Sequence, residues 1–241
     1  MNDIEPIVRV SHSAPPSGEA LDLADLFGPD VIHDLRAPLR HIQGFCRILA
    51  QEEEALTALP DYLERILTSA RSLEEMIRHL EQISELARCS MRPTAIDQTK
   101  LARFVWDEIR HHEKERFEFR LEALPEVDAD AGLMRLVWRE LFLNSLKFAA
   151  RQEHPRVGVS ARNADRNWFI VEDNGVGFDP RYADRMFGLF QRLHSKRDFE
   201  GVGAGLALVT AALARHGGEI SAHGETGRGA RFEWTPERVK E

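Results

Sequence analysis

The sequence predicts two folds in series: a helical-hairpin domain that forms a dimeric four-helix bundle, then a two-layer α/β sandwich. Three observations predict it. Apolar residues recur at alternating steps of three and four across 32–49 and again across 62–87, the seam of helices that pack side by side. After Pro93 helix-like and strand-like stretches alternate, which asks for helices layered on one face of a sheet. Two glycine-rich loops, DNGVGF and GVGAGLAL, interrupt the second half.

Taken in order, residues 1–20 carry proline, serine and glycine with little periodicity and read as a flexible N-terminal segment. The helical pattern begins near residue 21. Ile32, Leu35, Leu39, Ile42, Cys46 and Leu49 form the first stripe. Following QEEEALTALP, Tyr62, Ile66, Ser69, Leu73, Met76, Leu80, Ile83 and Ala87 form the second. Each stripe is narrow, so one hairpin alone leaves apolar surface bare, and a second copy covers it. MRPTAID ends the second helix and reads as a linker over 93–97. Beyond it the pattern predicts a helix near 98–112, a strand around Phe117–Leu121 and a helix over about 130–151. Strands at 156–162 and 167–172, a helix after Gly205, and strands at 218–223 and 229–234 complete the domain.

Composition narrows the function. The 241 residues leave room for one or two domains with cores of their own, and 43% hydrophobic with 30% charged content is that of a water-soluble fold. A net charge of −8 argues against nucleic acid, whose phosphates ask for a basic surface. No apolar run approaches the roughly 20 residues of a membrane span, and no signal-peptide pattern opens the chain; a cytoplasmic location with no membrane contact is expected. Cys46 and Cys89, without CxxC spacing, read as reduced packing residues.

Three clusters carry candidate chemistry. In HDLRAPL (33–39), His33 sits at the margin of the first stripe and shares a helical face with Arg36, Ala37, Arg40 and Gly44. That face is basic and open, fit to admit a phosphate group. Asp34 can orient the imidazole or take its proton, and Pro38 is expected to bend or loosen the helix. Read alone, His33 is more simply a solvated histidine on an ordinary helix, and it is the remaining motifs that reverse this. In ELFLNSLKF (140–148), Glu140, Asn144 and Lys147 are spaced i, i+4, i+7 on one narrow face. An amide oxygen there can ligate Mg²⁺, the carboxylate can hold its waters, and the lysine can meet phosphate oxygens; the plain alternative is the wet side of a buried helix.

The glycine loops complete the set. Asp173 of DNGVGF can accept from the exocyclic amine of a base, with Gly175 and Gly177 admitting the ring, although Asn-Gly between apolar runs is also a hairpin signal. GVGAGLAL places Gly201, Gly203 and Gly205 before a helix, where backbone N–H groups can cradle phosphates. The spacing is neither GxGxxG nor a P-loop. Between the loops, MFGLFQR sets Phe187 and Phe190 near Arg192, where a lid over a nucleotide would lie.

These motifs, in this order over about 21–236, resemble the catalytic core of a two-component sensor histidine kinase, with wording most similar to phytochrome-type kinases. The resemblance implies His33 as the phosphorylated residue with Asp34 as its activating neighbour. It implies Asn144 as the Mg²⁺ ligand with Glu140 and Lys147 alongside, and Asp173 as the adenine reader with Gly175 and Gly177. Arg192 falls in the F-box stretch, and Gly201, Gly203 and Gly205 in a mobile lid over the phosphates of ATP. Residues 21–92 would be the dimerisation and histidine phosphotransfer domain and 98–241 the ATP-binding catalytic domain. Phosphoryl transfer from ATP to His33, then to an aspartate of a response regulator, is the activity implied. Ile32 departs from the family's usual serine. Ala37 stands where bifunctional members carry threonine or asparagine, which argues against phosphatase activity. With no sensor region before residue 21, a separate sensor protein is expected to supply the input. Two rivals remain: a dimeric phosphotransfer or scaffold protein with a non-catalysing nucleotide domain, and an ATPase or serine kinase on the same fold.

Overall fold

The computed structural model describes residues 8–11, 31–51, 58–109, 114–164, 167–193 and 198–237. Helices α1 (Val31–Gln51) and α2 (Leu59–Arg88) pack together as the hairpin. The first stripe divides by sevens. Leu35, Ile42 and Leu49 are half-buried within the protomer, whereas Cys46 is exposed together with Ile32 at 63% and Leu39 at 43%. On α2, Met76, Ile83 and Ala87 are buried, and Leu63, Leu67 and Ile77 are not. Large apolar residues left in water along both helices are the signature of a hairpin with another partner to meet. Pro38 is buried inside α1 and the helix runs on through it; the missing N–H removes one ladder bond without ending the element.

The second domain is a two-layer α/β sandwich. Strands β1 (Val8–Ser11), β3 (Glu118–Leu121), β5 (Arg156–Asn163), β6 (Asn167–Asp173), β7 (Glu219–Glu225) and β8 (Gly229–Thr235) form one sheet in the order β1-β7-β8-β6-β5-β3. Only β3 and β5 pair in parallel within it. Helices α3 (Gln98–Glu108), α4 (Ala131–Ala149) and α5 (Gly205–His216) supply the other layer. Trp138 of α4 anchors their contact: its ring meets Trp234 of β8 edge-on at 4.9 Å, and its Nε1–H donates to the buried Gln98 Oε1 at 2.8 Å. A buried indole needs such an acceptor.

Two stretches differ from the sequence reading. Residues 93–97 are a strand, β2 (Pro93–Asp97), paired antiparallel with β4 (Glu126–Asp130), and not a linker. The pairing, which sets Ile96 opposite the buried Val127, is tertiary and leaves no local pattern. Val8–Ser11, within the segment read as flexible, pairs with the edge of β7. The remainder of 1–20, and residues 21–30 where the first helix was expected to begin, lie outside the described residues.

Asp130 fixes the entry to α4. Its carboxylate accepts from the Gly132 and Leu133 N–H groups at 2.9 and 3.1 Å and from Arg92 N–H at 2.9 Å, an N-cap that aims the helix carrying ELFLNSLKF. Its own N–H donates to His216 Nε2 at 3.0 Å, while His216 Nδ1–H donates to the Ala212 carbonyl at 2.9 Å. That histidine is therefore neutral, and its burial holds it below its usual pKa.

Candidate active site

A cavity of 610 Å³ opens between α4, the stretches 186–193 and 198–206, and the hairpin helix α2, a size suited to a nucleotide. Glu140, Asn144, Lys147, Asp173, Gly177, Arg192, Gly201, Gly203 and Gly205 all line it. Sequence separation from 140 to 205 collapses because the motif helix α4 packs beside α5, whose first turn is the end of the glycine loop. Gly175 is absent from the wall. Its N–H instead donates to Asp173 Oδ1 at 2.9 Å, so it holds the carboxylate in place and does not admit a ring.

Asp173 ends β6 in a buried position, and that burial pushes its carboxyl up to about 6, against the pull of the hydrogen bond from Gly175 N–H. A carboxylate kept apolar on its flanks and open toward the cavity is suited to accept from one amine of a ligand. Two glycines shape this corner. Gly177 has φ +62°, and a Cβ there would collide with the Glu225 carbonyl; at Gly229, φ +94°, it would collide with the Asp173 carbonyl. The hairpin alternative for Asn-Gly is not realised: Asn174 accepts from Arg156 N–H at 2.8 Å and donates to the His154 carbonyl at 2.9 Å, tying the loop back to β5.

The phosphate end is cationic. Lys147 is half-buried, and burial first and the Arg192 charge second hold its pKa below the ordinary value. Arg192 donates to the carbonyls of Phe199 and Gly201, bracing the glycine loop. Glu140 pairs with Arg139 at 2.6 Å, yet its burial raises its pKa. Phe187 and Phe190 are both core residues: Phe187 lies under the sandwich and Phe190, with φ +62°, in an apolar cluster with Val31, Met76 and Ile83 of the hairpin. The cavity wall from that stretch comes from Met186, Gln191 and Arg192.

His33 and Asp34 stand outside the cavity. The imidazole is 71% exposed, with Nδ1 3.7 Å from Asp34 Oδ1, beyond hydrogen-bond length but near enough to accept a proton after a small rotation. Sequence reasoning missed Glu75 and His79 of α2, which line the cavity. Two polar residues one turn apart on a surface helix carry no signal that separates a site from a solvated face.

Comparison with known proteins accounts for this arrangement. A model of the His Kinase A (phospho-acceptor) domain matches residues 26–88. A model of the histidine kinase-, DNA gyrase B- and HSP90-like ATPase matches residues 129–240. The chain carries the catalytic core of a two-component histidine kinase, a phospho-acceptor domain followed by its ATPase domain. Among this kinase core's relatives, cyanobacterial phytochrome A of Nostoc sp. is 27% identical over 210 residues, covering 84% of this chain and 27% of the phytochrome. The methanogenesis regulatory histidine kinase FilI of Methanothrix harundinacea is 30% identical over 207 residues, 83% of this chain and 23% of FilI. Full-length ShkA, solved in complex with AMPPNP, is similar at TM-score 0.58 and 25% identity over 86% of this chain and 45% of ShkA. The kinase core thus spans about a quarter of the length of the two curated relatives.

Proposed function

We propose that the protein is an ATP-dependent histidine kinase that phosphorylates His33 and passes the phosphoryl group to an aspartate of a response regulator. The observation that carries this is the convergence of three separate motifs on one nucleotide-sized cavity, with an exposed histidine–aspartate pair on the neighbouring hairpin. Asp173 reads the adenine amine, Lys147 and the loop of Gly201, Gly203 and Gly205 hold the phosphates, and Arg192 braces that loop. Asn144 would hold Mg²⁺ through its amide oxygen and Glu140 its water shell, where the ion would neutralise charge on the phosphates. AMPPNP in the related ShkA supports the same ligand class.

In the reaction, a lone pair on a His33 ring nitrogen forms a bond to the γ-phosphorus as the bond to the β,γ-bridging oxygen breaks. ADP leaves, and the proton of the other ring nitrogen passes to Asp34. His33 does not line the cavity, so the ATP-binding region must move against the hairpin to deliver the group. Residues 21–92 act as the dimerisation and phosphotransfer unit, 98–241 as the ATP-binding unit. The exposed Ile32, Leu39, Leu63, Leu67 and Ile77 support a homodimer through the hairpin. No helix among the described residues is long and apolar enough to cross a membrane, and a cytoplasmic site of action is the natural one for such a kinase.

The test is incubation with Mg²⁺ and γ-labelled ATP beside His33→Ala and Asn144→Ala. Acid-labile label on the wild type, absent from both variants, is the expected result. Wild-type protein that binds ATP and takes up no label points instead to a phosphotransfer scaffold.

A further inference from the structure

The cavity has one wall that the nucleotide motifs do not supply. Glu75 and His79, one turn apart on α2, line it together with Glu140, Lys147 and Arg192. His79 is pinned to its own helix: a carbonyl only accepts, so Nδ1–H donates to the Glu75 carbonyl at 2.7 Å. Glu75 brings a carboxylate to the cationic end, where its charge acts on both Lys147 and Arg192. The same turn of α2 carries Met76, which is buried in an apolar cluster with Val202, Ala204 and Leu208 of the glycine loop and α5. The hairpin is therefore plugged onto the loop that is to receive phosphates, and its charged residue faces the cations that are to hold them.

A carboxylate and a phosphate oxygen ask for the same partners. They cannot both have Lys147 and Arg192 without like charges meeting in a half-buried space. We propose that Glu75 is a built-in competitor for the phosphate subsite: it neutralises Lys147 and Arg192 while α2 is docked on the glycine loop, and a nucleotide di- or triphosphate displaces it and loosens the hold of the hairpin. The inference rests on the reading of the cavity as an ATP site. It gives the docked arrangement, in which His33 stands away from the cavity, a defined trigger for release.

The experiment is calorimetric titration of the full chain with Mg–ADP and with adenosine, for wild type and Glu75→Gln, and for both again in a Lys147→Met background. Glu75→Gln is expected to tighten Mg–ADP by about fivefold, to leave adenosine unchanged, and to lose most of its gain when Lys147 is gone. Equal or weaker Mg–ADP binding by Glu75→Gln overturns the competitor role, and so does an equal gain for adenosine. Should the variant not fold, hydrogen exchange on the wild type decides: Mg–ADP must speed exchange across 72–83 of α2, and unchanged or slower exchange overturns the proposal. Wild-type protein that binds neither ligand defeats the ATP-site reading itself, a result distinct from normal wild-type binding with an unaltered variant.

Discussion

Asp173 meets two demands that conflict. To accept from an amine it must be ionised, and its burial favours the protonated acid, with the balance at about pH 6. Adenine-nucleotide affinity is therefore expected to fall as pH drops through 6, measured by titration between pH 5 and 8, and binding near pH 6 is expected to release protons because the amine favours the ionised form. The sign for stability is opposite. A carboxyl whose folded pKa is raised favours the fold below its ordinary value of 3.8 and loses that contribution as pH rises through about 6. Asp173→Asn is thus expected to abolish nucleotide binding while leaving Tm at pH 8 equal or higher. A clear fall in Tm would show that the residue is needed for the fold and not for a ligand. The position was legible in the sequence because an acid before Gly-x-Gly is unusual at a strand end. The role of Gly175 was not, since it depends on where its N–H points.

At the scale of elements, the motif helix α4 is aimed by its first turn. Asp130→Ala removes an acceptor of three backbone N–H bonds and is expected to cost about 1–2 kcal/mol and lower Tm by about 4 °C, with a matching loss of ATP affinity as Glu140, Asn144 and Lys147 shift. His216 backs this cap and must stay neutral to accept the Asp130 N–H. Its folded pKa is lowered, so its contribution is full above its ordinary value of 6.5 and is lost as pH falls below that. A thermal-melt series from pH 7.5 to 5 is expected to show a decline that His216→Asn flattens. Helices and long strands were legible through their periods, from α1 to β8. β2 and β4 were not. EVDAD does alternate, burying Val127 and Ala129, but three acids in five residues mask the pattern, and each strand persists only because the other is there.

For the molecule as a whole, the hairpin leaves Ile32, Leu39, Leu63, Leu67 and Ile77 in water on a single protomer. Leu67→Glu is expected to convert a dimer to a monomer in sedimentation, with ATP binding retained and labelling of His33 reduced if transfer runs between copies. A second copy was expected from stripe width alone, whereas the contact of α2 with the nucleotide cavity left no sign, because it joins distant parts of the chain. A last consequence belongs to β1. Four residues ahead of the hairpin complete the outer border of the ATP domain's sheet, so a preparation trimmed to the two recognised domains strips β7 of its neighbour. Its bared row of amide and carbonyl groups is a template for edge-to-edge stacking. Trimmed protein then has two ways to self-associate, one through helices and one through strands, and only the first reports on the bundle.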